Sequence, residues 1–140
     1  MSITNSMKLT LEAKSQNESF ARSVVAAFFV QINPTLEQVE DVKTAVSEAV
    51  TNCIVHAYEG SQKGQIEISC DLSDDTLFVE ITDFGKGIEN VEQAMKPFYT
   101  TVSTGERSGM GFTVMQAFCN SVEVSSKEGL TTVKLTKKVA

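Results

Sequence analysis

Glu48 and Asn52 lie four residues apart in a segment with helical periodicity, so their side chains point to one side of that helix. An amide oxygen can bind Mg²⁺ without adding charge, which leaves coordination positions for phosphates and waters. A carboxylate one turn earlier could accept a proton from an attacking hydroxyl. Taken alone, however, the pair is more typical of a solvated helix flank.

A second group, Asp83-Phe84-Gly85-Lys86-Gly87-Ile88, follows directly after a predicted strand. The Asp83 carboxylate could accept a hydrogen bond from an exocyclic amine such as that of adenine. The two glycines would let the backbone approach a flat ring where a Cβ would collide. On its own, this group also fits a glycine-rich turn that leaves a sheet.

A third group, Glu106-Arg107-Ser108-Gly109-Met110-Gly111-Phe112, leads from a loop into a helix. Glycines at a helix N-terminus allow backbone amides to converge on an anion. Arg107 adds a fixed positive charge of the kind that stabilises a transferring phosphoryl group. The alternative is an ordinary helix start with a surface arginine. Neither a P-loop nor the catalytic loop of protein kinases is present, which excludes those two routes to ATP.

The hydrophobic pattern predicts the elements that hold these groups. Alternating apolar residues predict strands at 8–13, 66–72 and 77–83 and a final hairpin that pairs Val122 and Val124 with Val133 and Leu135. Helical periodicity predicts helices over about 17–31, 35–58 and 111–118. The intervening segment, about 89–108, has weak periodicity and is predicted to be a lid. This order favours an α+β fold with two layers, in which helices cover one face of a mixed, mostly antiparallel sheet.

Two features concern the first two helices. Ser15 with Glu18 has capping-box spacing, and Pro34-Thr35 with Gln38 marks the second helix start. The run Val24–Val30 is apolar all round, which predicts either a second buried face, such as a homodimer contact, or simple deep burial. The two interpretations are equally supported by the sequence.

Composition excludes several classes of protein. The 140 residues suit one domain, 1–140, and a net charge of −6 disfavours direct binding of nucleic acid. No apolar run approaches the ~20 residues of a membrane span, and no signal peptide is visible. Three cysteines without a CxxC spacing indicate a reduced, cytoplasmic protein. The single histidine, His56, excludes a multi-histidine metal site.

Taken in order, the three groups resemble the Bergerat nucleotide-binding fold of gyrase-type ATPases, Hsp90, sensor histidine kinases and MutL, over about 8–138. The segments 17–22, 47–52 and 106–112 further resemble the anti-sigma F factors of endospore-forming bacteria. Members of that family are homodimeric serine kinases. They hold a sporulation sigma factor of RNA polymerase inactive, and they phosphorylate a serine of an anti-anti-sigma protein.

The resemblance implies an ATP or ADP site with Mg²⁺. Asn52 would bind Mg²⁺, and Glu48 would be the base for the partner's serine. Arg107 would contact the γ-phosphate as the second catalytic residue. The other implied phosphate-binding residues are Ser108, Gly109 and Gly111.

The resemblance also assigns the base-binding and partner-binding residues. Asp83 would bind the adenine amine, and Gly85 and Gly87 would line the ring. Thr132 would lie near the adenine. Arg22, on the first helix, would lie on the face that both protein partners use.

The sequence departs from the family pattern in the lid, where Val102-Ser103 rather than Lys-Pro follows Thr100-Thr101. Because the family's lysine is absent at this position, the sequence does not support a lysine–phosphate contact from this part of the lid. Three alternatives stay open: a non-catalytic nucleotide-dependent switch, a detached catalytic domain of a histidine kinase, and a stress-response relative of the same anti-sigma family.

Overall fold

The computed structural model describes residues 2–58, 64–85, 111–127 and 129–139, without the side chains of 56 and 57. The predicted lid therefore lies outside the described residues. The elements follow the predicted order along the chain: β1 (Asn5–Glu12), α1 (Gln16–Phe29), a 3₁₀ turn (Val30–Ile32), α2 (Leu36–Asn52), a π turn (Cys53–Ala57), β2 (Gln65–Leu72), β3 (Thr76–Asp83), α3 (Gly111–Phe118), β4 (Ser121–Lys127) and β5 (Leu130–Lys138).

The five strands of the described residues form one sheet in the order β1-β2-β3-β5-β4. All four pairings between them are antiparallel, which agrees with a mostly antiparallel sheet, but the predicted mixture with parallel pairs does not occur among these strands. The predicted final hairpin is confirmed in register, because Val122 pairs with Leu135 and Val124 with Val133. Gly129 makes this turn possible with φ +82°, in the left-handed region that favours glycine.

The helices cover one face of the sheet. Along β2 and β3 the apolar residues at alternate positions are buried, and so are the apolar positions of α1 and α2 that face them. The largest fully buried side chains lie in this interface: Phe29, Ile66, Ile68, Leu72, Leu77, Ile81 and Met115. Burial of such side chains stabilises the fold by about 1.5–3 kcal/mol each, before the conformational entropy is subtracted.

The predicted capping box at the start of α1 is wrong. Ser15 occupies the N-cap position, but its backbone is already helical (φ −59°, ψ −33°) and its side chain makes no capping hydrogen bond. A capping side chain accepts an amide proton from the first helical turn, and this requires an extended backbone at the N-cap residue. The Glu18 carboxylate pairs instead with Arg22 one turn later, at 3.4 Å.

The start of α2 is as predicted. Thr35 is extended (φ −74°, ψ 162°), and its hydroxyl accepts the Gln38 amide proton at 3.1 Å. The Gln38 side chain accepts the Thr35 amide proton in return at 2.8 Å. The helix ends earlier than predicted, at Asn52, because the chain continues as a π turn.

The apolar run Val24–Val30 is buried on one side only. Val25, Ala26, Phe28 and Phe29 are buried, whereas Val30 is 49% exposed. Phe20, one turn before the run, is 51% exposed. Deep burial in the single chain therefore does not account for the whole run.

Lys137 fixes α3 at its C-terminal end. Its ammonium group donates to the Phe118 carbonyl at 2.6 Å and to the Asp41 carboxylate at 2.9 Å. Both charged side chains are largely buried, so the pair ties β5 to α2 and α3 with little screening by water. This contact helps to set where the opposite end of α3, at Gly111, meets α2.

None of the helices in the described part of the chain is long and apolar enough to cross a membrane.

Candidate functional site

The last turn of α2 meets the first residue of α3. A Cβ placed on Gly111 would lie 3.1 Å from both Nδ2 and Oδ1 of Asn52 and 3.4 Å from Oε2 of Glu48. The side chains of Glu48 and Asn52 therefore point to the same side of α2, as their spacing predicts, and both converge on the backbone of Gly111. Residues from two of the three predicted groups are thus brought together.

This corner combines oxygen donors with a helix start. The Asn52 amide offers a hard oxygen ligand of the kind that Mg²⁺ prefers, and the Glu48 carboxylate lies on the same side of α2. Within the described ranges, no group of three or more His, Cys, Asp or Glu side chains could hold a metal ion. A cation at Asn52 would take its other ligands from phosphates and waters.

Asp83 lies at the end of β3 and is only 5% exposed. Its Oδ1 accepts the amide proton of Gly85 at 3.1 Å, which turns the chain tightly around the carboxyl group. Burial raises the pKa of the Asp83 carboxyl above its ordinary value, although the hydrogen bond from the Gly85 amide and the nearby Cys53 thiol act in the opposite direction. Asp83 is thus a nearly buried hydrogen-bond acceptor at the end of a strand.

Cys53 connects the two halves of the site. It follows Asn52 directly, it is 3% exposed, and its thiol lies near the Asp83 carboxyl. Burial and the nearby Asp83 charge raise the pKa of the thiol well above its ordinary value. The thiol of Cys53 therefore stays protonated beside this carboxyl.

Tyr58 holds the turn that follows Asp83. Its hydroxyl accepts the Phe84 amide proton at 2.7 Å and donates to the Gln65 carbonyl at 2.6 Å. Burial raises the pKa of this hydroxyl, so it stays protonated. Neither Tyr58 nor Cys53 was among the predicted site residues, because no spacing rule links them to Asp83.

The structure does not bring Thr132 to this site. In the β3–β5 register Thr82 pairs with Thr132, and their hydroxyls lie 3.1 Å apart on the sheet face away from the helices. Asp83 pairs with Thr131, which is 4% exposed on the helix-covered face. Successive strand residues point to opposite faces, so the neighbour Thr131 takes the position beside Asp83 that was predicted for Thr132.

Arg22 bridges α1 and α2. Its guanidinium contacts the Glu18 carboxylate and the Ser47 hydroxyl, each at 3.4 Å, and its side chain is 39% exposed. Ser47 directly precedes Glu48. A partner that binds Arg22 would therefore contact the helix that carries Glu48.

The other predicted site residues lie outside the described residues. They are Gly87, Arg107, Ser108 and Gly109, together with the lid at about 89–108.

Residues 11–137 match the model of the histidine kinase-like ATPase domain. The chain is 54% identical over 140 residues to an anti-sigma F factor of Thermoanaerobacter sp. (strain X514), covering 99% of this chain and 97% of the relative. It is 49% identical over 134 residues to an anti-sigma F factor of Clostridium beijerinckii, covering 96% and 94%.

Solved structures confirm the fold class. The RsbU and RsbW domains of a Mycobacterium tuberculosis protein superpose with a TM-score of 0.71 at 20% identity, over 97% of this chain and 33% of that chain. The catalytic domain of the histidine kinase ThkA superposes with a TM-score of 0.61 at 13% identity, over 97% of both chains. At these identities the likeness concerns the fold alone.

Proposed function

The chain belongs to the anti-sigma F factor family and carries its histidine kinase-like ATPase domain, and on that basis we propose that it is a protein serine kinase that also inhibits a sporulation sigma factor. The substrate is a serine of an anti-anti-sigma protein, and the phosphoryl donor is ATP with Mg²⁺. One observation carries this proposal: Glu48 and Asn52 converge on Gly111, and Cys53, the residue after Asn52, lies near the buried Asp83 carboxyl.

The base end of ATP is assigned to Asp83. Its carboxylate accepts a hydrogen bond from the adenine 6-amino group, which a 6-oxo purine cannot supply. Gly85 and Gly87 let the chain pass close to the ring. Thr131, on the same face of the sheet as Asp83, replaces Thr132 in this assignment.

The phosphate end is assigned to Asn52 and the start of α3. Bound Mg²⁺ would neutralise phosphate charge and orient the γ-phosphoryl group. Asn52 supplies one neutral oxygen ligand to it. Ser108, Gly109 and Gly111 contribute the helix N-terminus to the phosphates, and Arg107 contacts the γ-phosphate.

Phosphoryl transfer in this site requires positioning and one proton acceptor. The partner's serine oxygen forms a bond to the γ-phosphorus, the bond from that phosphorus to the β–γ bridging oxygen breaks, and ADP leaves. Glu48 accepts the serine proton. The remaining catalysis comes from charge stabilisation by Arg107 and the helix amides.

Protein partners bind next to this site. Arg22 lies on the α1–α2 surface beside Ser47 and contacts both the sigma factor and the anti-anti-sigma protein. Phe20 of α1 and Val30 of the turn that follows α1 are apolar and about half exposed, which supports a homodimer interface. The protein acts in the cytoplasm, where its partners and ATP are present.

A phosphotransfer assay tests the proposal. The purified chain is incubated with γ-labelled ATP, Mg²⁺ and the anti-anti-sigma protein encoded by the same genome, and the product is mapped by mass spectrometry. We expect label on one serine of the partner. ATP binding without any transfer would favour a non-catalytic switch, and a labelled histidine on a helical partner would favour a detached histidine kinase domain.

A further inference from the structure

A π turn separates the phosphate end of the site from its base end. α2 ends at Asn52, and Cys53–Ala57 continues with π geometry, in which the Tyr58 amide donates to the Cys53 carbonyl at 3.1 Å. Such turns widen the helix by one residue, and they occur frequently at functional sites. The residue at the start of this turn, Cys53, and the residue just after its end, Tyr58, both lie close to the Asp83-Phe84 segment.

The first contact is made by Cys53. The regular α-helix ends at Asn52, and the next residue, Cys53, is buried with its thiol near the Asp83 carboxyl. Asn52 and Cys53 are consecutive residues. The Asn52 amide and the buried thiol near Asp83 are therefore carried by adjacent positions of the backbone.

The second contact is made by Tyr58. Its hydroxyl is hydrogen-bonded on both sides, to the Phe84 amide and to the Gln65 carbonyl, so it ties the end of β3 to the start of β2. Its ring packs directly on Gly64, where a Cβ would collide with the ring atoms. The ring has little freedom, and the hydroxyl is held where the Asp83-Phe84-Gly85 turn begins.

We infer that Tyr58 is a positioning residue for purine recognition, and that it holds the turn at Asp83 in register with Asn52. This inference rests on the ATP binding proposed above. Tyr58 does not touch the nucleotide in this account; it orients the turn that carries the carboxylate. Removal of its hydroxyl lets Asp83 move away from the place where it meets the 6-amino group.

The competing explanation is that these contacts only stabilise the fold. Loss of stability lowers the folded fraction, which weakens the apparent binding of every nucleotide equally. Loss of positioning weakens ATP more than inosine triphosphate, because the 6-oxo group of inosine has no hydrogen to give to Asp83. The ratio of the two affinities therefore separates positioning from stability.

Tyr58→Phe removes one hydroxyl and keeps the ring on Gly64. We expect the Kd for ATP, measured by calorimetry, to rise about three- to tenfold, as for the loss of one or two hydrogen bonds, while the Kd for inosine triphosphate changes less than about twofold. Thr4→Val is the matched control. It removes a hydroxyl that donates to the Leu72 carbonyl at the opposite end of β2, and it should leave both affinities unchanged.

Thermal melts of Tyr58→Phe and Thr4→Val show the temperature range in which each variant is folded.

The outcomes separate this inference from the proposed function. If wild type does not bind ATP, the proposed function fails. If wild type binds ATP with a preference over inosine triphosphate, and Tyr58→Phe keeps that preference, the proposed function stands and the positioning role of Tyr58 is overturned. A preference that is reduced in Tyr58→Phe and kept in Thr4→Val supports the role.

Discussion

Gly111 lies so close to Asn52 that a methyl group at position 111 would stand 3.1 Å from both Nδ2 and Oδ1 of the amide. This contact joins the first residue of α3 to the last residue of α2. The backbone of the third predicted group, at Gly111, therefore lies against a side chain of the first group, Asn52. The nucleotide site proposed here depends on that closeness, since phosphates and Mg²⁺ would occupy the same corner.

Gly111→Ala should therefore weaken binding without weakening the fold. Alanine suits a helix better than glycine by about 1 kcal/mol, but its methyl group forces the Asn52 and Glu48 side chains to shift. We expect the Kd for Mg²⁺-ATP to rise about threefold or more at an unchanged or higher melting temperature.

Gly129→Ala is the matched glycine control. Its Cβ would meet open space, but its φ of +82° strains any other residue by about 1–2 kcal/mol. This variant should melt earlier and bind ATP as wild type does. Weaker binding in Gly129→Ala together with normal binding in Gly111→Ala would contradict the packing argument.

Glu48→Gln should slow phosphotransfer while it spares nucleotide binding. The amide keeps the size of the side chain but cannot accept the serine proton, a loss of about 10²–10⁴-fold in rate. Single-turnover transfer to the partner and calorimetric titration of ATP measure the two effects. Glu40→Gln, on the same helix and paired with Lys43 at the surface, controls for the loss of one α2 carboxylate. An equal loss of transfer and of ATP affinity would show that Glu48 is not the base.

Arg22→Ala should weaken binding of both protein partners and leave the Kd for ATP unchanged. The guanidinium is partly exposed and its intramolecular contacts are long, so its removal costs the fold little. Lys134→Ala is the matched control. Lys134 forms a similar 3.4 Å ion pair with Glu80, on the sheet face that the helices do not cover. Partner affinities that survive in Arg22→Ala would remove this residue from the interface.

Asp83→Asn should make the protein more stable at neutral pH. Burial raises the pKa of Asp83 in the native state, so the native state binds more protons than the unfolded chain between the two pKa values. The free energy of unfolding then falls as the pH rises through that interval. Asp83→Asn has no carboxyl group to ionise at this position, so it does not lose this free energy. The melting temperature of the variant should exceed that of wild type at pH 7, and the difference should shrink towards about pH 4. Asp74→Asn, at an exposed position, controls for the lost charge. A lower melting temperature for Asp83→Asn at pH 7 would contradict the account.

The strands and the order of elements could be predicted because alternation and periodicity record which side of each element is buried. The same alternation places Thr131 in phase with the buried Val133 and Leu135. A shift of one residue moves a side chain to the other face of a sheet. The resemblance assigned the adenine contact to Thr132, whereas the register places Thr131 on the face of Asp83.

Other features depend on contacts that a linear pattern does not contain. The spacing of Ser15 and Glu18 satisfies a capping box, but the helical backbone of Ser15 prevents it. The π turn after Asn52 is followed by Tyr58, whose hydroxyl accepts the amide proton of Phe84, 26 residues away in sequence. No spacing rule links residues so far apart along the chain.

The most direct test of the central claim is calorimetric titration of ATP, with and without Mg²⁺, into wild type and Asp83→Asn. We predict saturable binding that Mg²⁺ strengthens, and a Kd about ten- to a hundredfold higher in the variant, as for the loss of a hydrogen bond to a charged group. Absence of binding in the wild type, or equal binding in Asp83→Asn, would contradict the assignment of Asp83 as the adenine acceptor in a Mg²⁺-ATP site.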